Sequence, residues 1–127
     1  MNTKRLILAV VAVFIGVWVT NFLIHGVWLK NDYAASMTLW RSEQEMGNHF
    51  LPLLGGQFLA SLMFVLIWAH AGIKTLPRAC AFGLCMGLAK ESTTLILYAV
   101  QPFPADLAAK WFISGAVQAT LMGAIAF

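Results

Sequence analysis

Apolar residues fall into four long runs separated by short polar links. Leu6–Leu29 carries no acidic residue, lysine or arginine, and Lys4 and Arg5 precede it. Phe50–Ala69 is also free of those charges. Ala79–Val100 is apolar except around Lys90 and Glu91, and Leu107–Phe127 contains the single charge Lys110. Each run is near the roughly 20 residues a helix needs to cross a hydrocarbon core. The pattern predicts an all-α integral membrane four-helix bundle, one transmembrane domain over residues 1–127. Its spans are TM1 (6–29), TM2 (50–69), TM3 (79–100) and TM4 (107–127). The first run is too long for a signal-peptide core of about 7–15 residues and no small-residue cleavage site closes it. It reads as a retained signal anchor.

The links differ in kind. Gly72–Arg78 is short and basic, and Gln101–Asp106 is a turn holding Pro102 and Pro104. The long surface segment, residues 30–49, places Tyr33, Met37 and Trp40 on one helical stripe. Ser42 and Glu45 have capping-box spacing, which predicts a fresh helical turn before TM2. A short amphipathic surface helix and a loop anchored by Trp40 are both compatible with the segment.

Composition agrees with the pattern. The chain is 61% hydrophobic and 10% charged, against about 25% charged in soluble domains. That excludes a soluble enzyme, a disordered tail and a nucleic-acid-binding domain, and makes the lipid bilayer the first partner. Lys4, Arg5, Lys74 and Arg78 lie on one side of the spans; Lys30, Arg41 and Lys110 lie on the other. The acid-free side with short loops is read as cytoplasmic, giving a multi-pass protein with both termini inside. Trp28, Trp40 and Trp111 are the expected outer interface anchors, Tyr98 lies beside them, and Trp68 marks the inner side. Trp18 falls near mid-membrane and needs a packed environment.

Helices in lipid associate by close backbone approach and polar contacts. Gly83 and Gly87 on TM3, and Gly115, Ala119 and Gly123 on TM4, have the small-residue spacing this requires. Gly16/Thr20 and Gly56/Ala60 repeat it on TM1 and TM2. Cys80 and Cys85 are five apart and read as small apolar core residues.

Lys90 and Glu91 are the least expected residues. Each charge at a helix centre costs about 2.5–3.5 kcal/mol on an insertion scale. Adjacent side chains diverge by about 100°, so direct pairing is not expected, although both share the glycine face. Asn21 and His25, Gln57 and Ser61, and Ser114 and Gln118 are i,i+4 pairs. Together these polar groups predict a cavity or hydrogen-bonded seam opening toward the outer face. Interhelical glue is the simpler role for the amides. No histidine stands at ligand spacing from a cysteine or a second histidine, so neither a metal nor another cofactor is implied. GxSxG, HExxH, CxxC and phosphate-loop motifs are absent, and no catalytic residue is assigned.

His25-Gly-Val-Trp-Leu29, Tyr33, Leu39-Trp-Arg41, Glu45-Met46, Gln57, Tyr98-Ala-Val-Gln-Pro102 and Trp111 form a set of short strings. Together they resemble a group of small uncharacterised bacterial four-helix membrane proteins. The resemblance implies a bacterial inner membrane and four spans, and carries no catalytic residues. Small size, scant aqueous mass and small-residue faces lead to the expectation of a scaffold or accessory subunit. Its partners would be other membrane subunits or further copies of itself. The alternative is a small oligomeric transporter of ions, protons or small molecules, with Glu91 as the site and Lys90 as its electrostatic regulator.

Overall fold

A computed structural model describes residues 2–127. The chain is all-α. Helix α1 (Thr3–Asn21) continues into a π-helical stretch, Phe22–Trp28. Then come α2 (Lys30–Ala35), a 3-10 turn (Met37–Leu39), α3 (Glu43–Asn48), α4 (Phe50–His70), α5 (Leu76–Val100) and α6 (Ala105–Ala126). Three helices are long and apolar enough to cross a membrane: Thr3–Trp28, Phe50–His70 and Leu76–Val100. Helix α6 has comparable length, 22 residues, but Asp106, Lys110 and Gln118 dilute its apolar character.

Local chemistry sets the ends. The Asn2 side chain accepts from Lys4 N–H and caps α1. Gly72, with φ 62°, turns the chain after α4 in the left-handed conformation glycine tolerates. Pro77 sits in the first turn of α5, where its missing N–H costs nothing. Pro104 immediately precedes α6. Thus α5 and α6 start earlier than their apolar runs suggest, because capping geometry rather than hydropathy places a helix terminus.

The surface segment is neither one helix nor one loop. It is two short helices joined by the 3-10 turn and an extended Trp40. The capping box at Ser42 and Glu45 is formed. Glu45 accepts from the backbone and side chain of Ser42, which holds its carboxyl below the usual carboxylate range. The predicted stripe is broken with the helix: Tyr33 and Trp40 pack inward, while Met37 is 73% exposed.

Helices α5 and α6 form the tightest pair. A Cβ on Gly83 would overlap the Ala119 carbonyl, and one on Gly123 would overlap the Ala79 carbonyl. A Cβ on Gly87 would press on the Ala119 methyl. Backbones therefore touch with nothing between them. Helix α1 lies against α6 where Gly16 receives Met122 and Ile125, and α4 lies along α1. Near the chain termini the four long helices converge on Val10, Val13, Val65, Trp68, Met122 and Ala126. Phe64 of α4 meets Phe82 of α5 there, with ring centroids 5.4 Å apart.

Elsewhere α4 touches α5 and α6 only sparsely. It begins beside Trp18, whose ring lies 6.0 Å from that of Phe50, and Phe58 packs edge-on to Phe14. Three placements therefore differ from expectation. Gly56 and Ala60 face open space instead of a helix. Cys85 is exposed and Cys80 only partly covered. Trp68 is buried in the apolar core instead of marking an interface. Trp18 does have its packed environment, built from Phe14 and Phe50. A helical period identifies a face but not the neighbour that covers it.

At the opposite end a second core closes the molecule. Leu29, Leu107, Ala108, Phe103 and Ser36 are buried. Around them Tyr33, Trp40, Phe103 and Trp111 stack with centroids 5.1 to 6.4 Å apart. Lys110 donates to Asp32 at 2.6 Å, joining α6 to α2. We call this the capped end.

Gly83→Leu should cost more than about 3 kcal/mol, because backbone rather than a flexible side chain blocks the new atoms. Gly56→Leu, which meets open space, should shift stability by less than about 0.5 kcal/mol. Thermal unfolding of both variants in one detergent checks the contrast.

Candidate functional site

The candidate site lies in the half of the molecule that α4 does not cover. Its walls are the π-helical stretch that follows α1, the second half of α5 and the middle of α6. They enclose an open cavity of about 390 Å3 lined by His25, Lys90, Glu91, Trp111, Ser114 and Gln118 among others.

Glu91 is the best-held group. Its side chain is 6% exposed and packs against Gly115, where a Cβ would collide with the carboxylate. Gly115 is therefore needed as space for Glu91, besides any role in helix approach. Lys90 donates to Glu91 Oε1 at 2.9 Å and Thr94 donates to Oε2 at 2.6 Å. Adjacency did not prevent pairing, because the flexible lysine stem bends back to its neighbour. Only one of the pair is buried: the Lys90 side chain is 68% exposed.

Glu91 faces Gly115, five residues along α6 from Lys110. At 1.5 Å rise per residue, that is about 7–8 Å from the Lys110–Asp32 pair at the capped end. Glu91 lies in the second half of α5 and faces the middle of α6.

Three hydrogen-bonded groups flank the pair. Trp111 Nε1–H donates to Tyr33 Oη at 2.8 Å, and Tyr33 Oη lies 2.5 Å from His25 Nδ1. An indole nitrogen can only donate. Tyr33 therefore accepts from Trp111 and satisfies all three groups by donating its own proton to His25. The neutral imidazole then carries its proton on Nε2. The π-helical geometry, in which Leu29 N–H reaches back five residues to the Ile24 carbonyl at 2.8 Å, sets this part of α1 apart from a regular helix. It accounts for Asn21 and His25 having different partners despite their i,i+4 spacing.

At the cavity's inner end Gln118 Nε2 donates to Thr20 Oγ1 at 2.6 Å and to Asn21 Oδ1 at 2.8 Å. Thr20 passes its own proton to the Gly16 carbonyl at 2.7 Å. This closed seam staples α6 to α1. Ser114 Oγ–H turns back to the Trp111 carbonyl. Gln57 is not part of the cavity. It lies on α4, its Oε1 is buried without a hydrogen-bond partner, and the Ser61 hydroxyl meets its main-chain carbonyl.

Of the expected anchors, Trp28 is 53% exposed, while Trp40 and Trp111 belong to the aromatic core of the capped end. Sequence reasoning missed Tyr33 as the link to His25, Thr94 as a partner of Glu91, and the Asp32–Lys110 bridge. Spacing gave a signal for Thr94, three residues after Glu91. Tyr33 and Asp32 pair across 78 positions, which no local pattern reveals. Among the described residues no three histidine, cysteine or acidic side chains converge to hold a metal ion. Comparison with protein families, curated proteins and solved structures yields no match.

Burial raises the Tyr33 pKa above its ordinary value of 10.0. The folded state thus holds this proton more tightly than the unfolded chain. The resulting stability is complete below about pH 10 and is lost as pH rises through the folded value. Tyr33→Phe should remove that alkaline loss and cost about 1–3 kcal/mol at neutral pH by stranding two partners. Alkaline unfolding curves of wild type and variant test both.

Proposed function

We propose that the chain is a bacterial inner-membrane protein with four spans, α6 being the fourth, and both termini in the cytoplasm. It acts as an accessory subunit, docking to another membrane protein or to further copies of itself. One observation carries this reading: the small-residue face of α4 is unused. Gly83, Gly87, Gly115, Gly123 and Gly16 all meet neighbouring helices or side chains within the chain. Gly55 and Gly56 meet nothing, and Ala60, Met63 and Ile67 continue the same exposed face. Hydrophobic burial does not drive helix association in lipid, whereas close backbone approach does. A vacant glycine face on a span is thus a place where another helix gains contact.

Transport through Glu91 and Lys90 has weaker support. Both carboxylate oxygens hold hydrogen bonds. Toward the termini the polar groups give way at Gln118 to Gly16, Met122, Val13 and Val10, an apolar stretch.

The docking reading is tested by gentle extraction followed by native mass spectrometry. Wild type should emerge in a complex, and Gly56→Leu should reduce the complexed share about tenfold, equivalent to about 1.4 kcal/mol, while keeping its melting temperature. A stable wild-type monomer with no companion would overturn it. Orientation is tested separately: single cysteines near Lys74 and near Asn31 should react with an impermeant thiol reagent from the cytoplasmic and outer side, respectively.

A further inference from the structure

Charge is divided unevenly between the two ends of the molecule. Lys4 and Arg5 stand in the first turn of α1, Lys74 in the link before α5 and Arg78 in its first turn. Their chain neighbours Leu6 and Ile73 both pack against the core of Val10, Val65, Trp68 and Ala126. All four cations therefore belong to the end where the long helices converge. The five acidic residues lie elsewhere. Asp32 and Asp106 flank Lys110, Glu43 and Glu45 open α3, and Glu91 lines the polar cavity. Lys4, Arg5, Lys74 and Arg78 are all exposed, and among the described residues none of them forms an ion pair.

Cations gathered without counter-charge repel one another, and an anion relieves the repulsion. The surface beside them decides which anion. Ile7, Leu8 and Val11 follow Lys4 and Arg5 on α1 and are exposed. Leu76, Leu84 and Leu88 do the same on α5. Both helices are long and apolar enough to cross a membrane. A ligand with a phosphate at the cations and hydrocarbon along the helices matches both surfaces. Free phosphate or an acidic peptide matches only the first. Lysine and arginine suit this boundary, because their stems lie on apolar surface while their charged heads reach outward.

We infer that the end where the long helices converge is a binding surface for anionic phospholipid. Phosphodiester headgroups accept from Lys4, Arg5, Lys74 and Arg78, and the acyl chains lie along α1 and α5. The capped end sets Lys30, Arg41 and Lys110 against four acids, so the preference is confined to one end. The inference rests on the helices crossing a membrane, but neither on the α4 face nor on orientation.

The test places the full chain in nanodiscs of equal parts phosphatidylcholine and phosphatidylglycerol. Their two leaflets are alike, so the direction of insertion does not affect the readout. Native mass spectrometry then identifies the lipids that stay bound. Phosphatidylglycerol should predominate on the wild type. Each cation near an anionic surface is worth about fivefold in affinity. Lys4→Gln with Arg5→Gln, or Lys74→Gln with Arg78→Gln, should thus reduce the excess by about tenfold or more. Exposed positions should leave the fold intact, as circular dichroism would verify, and Lys74→Arg with Arg78→Lys should keep the excess. Lys30→Gln with Arg41→Gln should leave it unchanged. Equal retention of the two lipids by the wild type, or an undiminished excess in both neutralised pairs, would overturn the proposal. An equal loss in the Lys30 and Arg41 variant would overturn the assignment to this end. Displacement of the lipid by inorganic phosphate, beyond that by chloride at matched ionic strength, would mean a free-anion surface and overturn the lipid.

Discussion

The contact between the α5 and α6 backbones is the constraint on which the rest depends. At Gly83 and Gly123 the facing atoms are carbonyls of the partner helix, and no side chain can yield. Such an interface has essentially one register, since sliding it would drive a larger residue into backbone. That register brings Gly115 opposite Glu91, and so gives a buried carboxylate the one position on α6 that leaves room for it.

The capped end follows from the same register. With α6 fixed, Trp111 and Lys110 stand one helical turn or so beyond Gly115. They meet Tyr33 and Asp32, drawing α2 down over the helix ends. Trp40 and Phe103 then close over them as a small aromatic core. His25 is oriented from above by this cap, while Gln118 binds the helix beneath it. The cavity is consequently framed by two hydrogen-bonded staples, Trp111–Tyr33–His25 and Thr20/Asn21–Gln118, with the Lys90–Glu91 pair on its third wall.

Helix α4 is the exception to this order. It converges with the others only near the termini and lies chiefly on α1. Both ends are accordingly closed, one by the four long helices and the other by the cap, and the side left open is the one that α4 does not cover. The opening leaves Lys90 in contact with its surroundings.

Much of the architecture was legible along the chain. Runs of apolar residues near 20 long, punctuated by Pro77, Gly72, Pro102 and Pro104, suffice to predict all-α structure; of the four spans so read, three are helices long and apolar enough to cross a membrane. A capping box at Ser42 and Glu45 can be read because both partners are three residues apart. Glycine spacing on α5 and α6 likewise marks a close approach. Other features depended on distance in three dimensions. Which glycine face is occupied and which is vacant, why Gly115 is small, and how Trp111 comes to hold Tyr33 are set by neighbours far along the chain. The sequence by itself determined the helices and their polar stripes, because hydropathy and capping act locally. Only the tertiary structure decided which stripes meet, because contact is a property of helix pairs and register, which no single helix encodes.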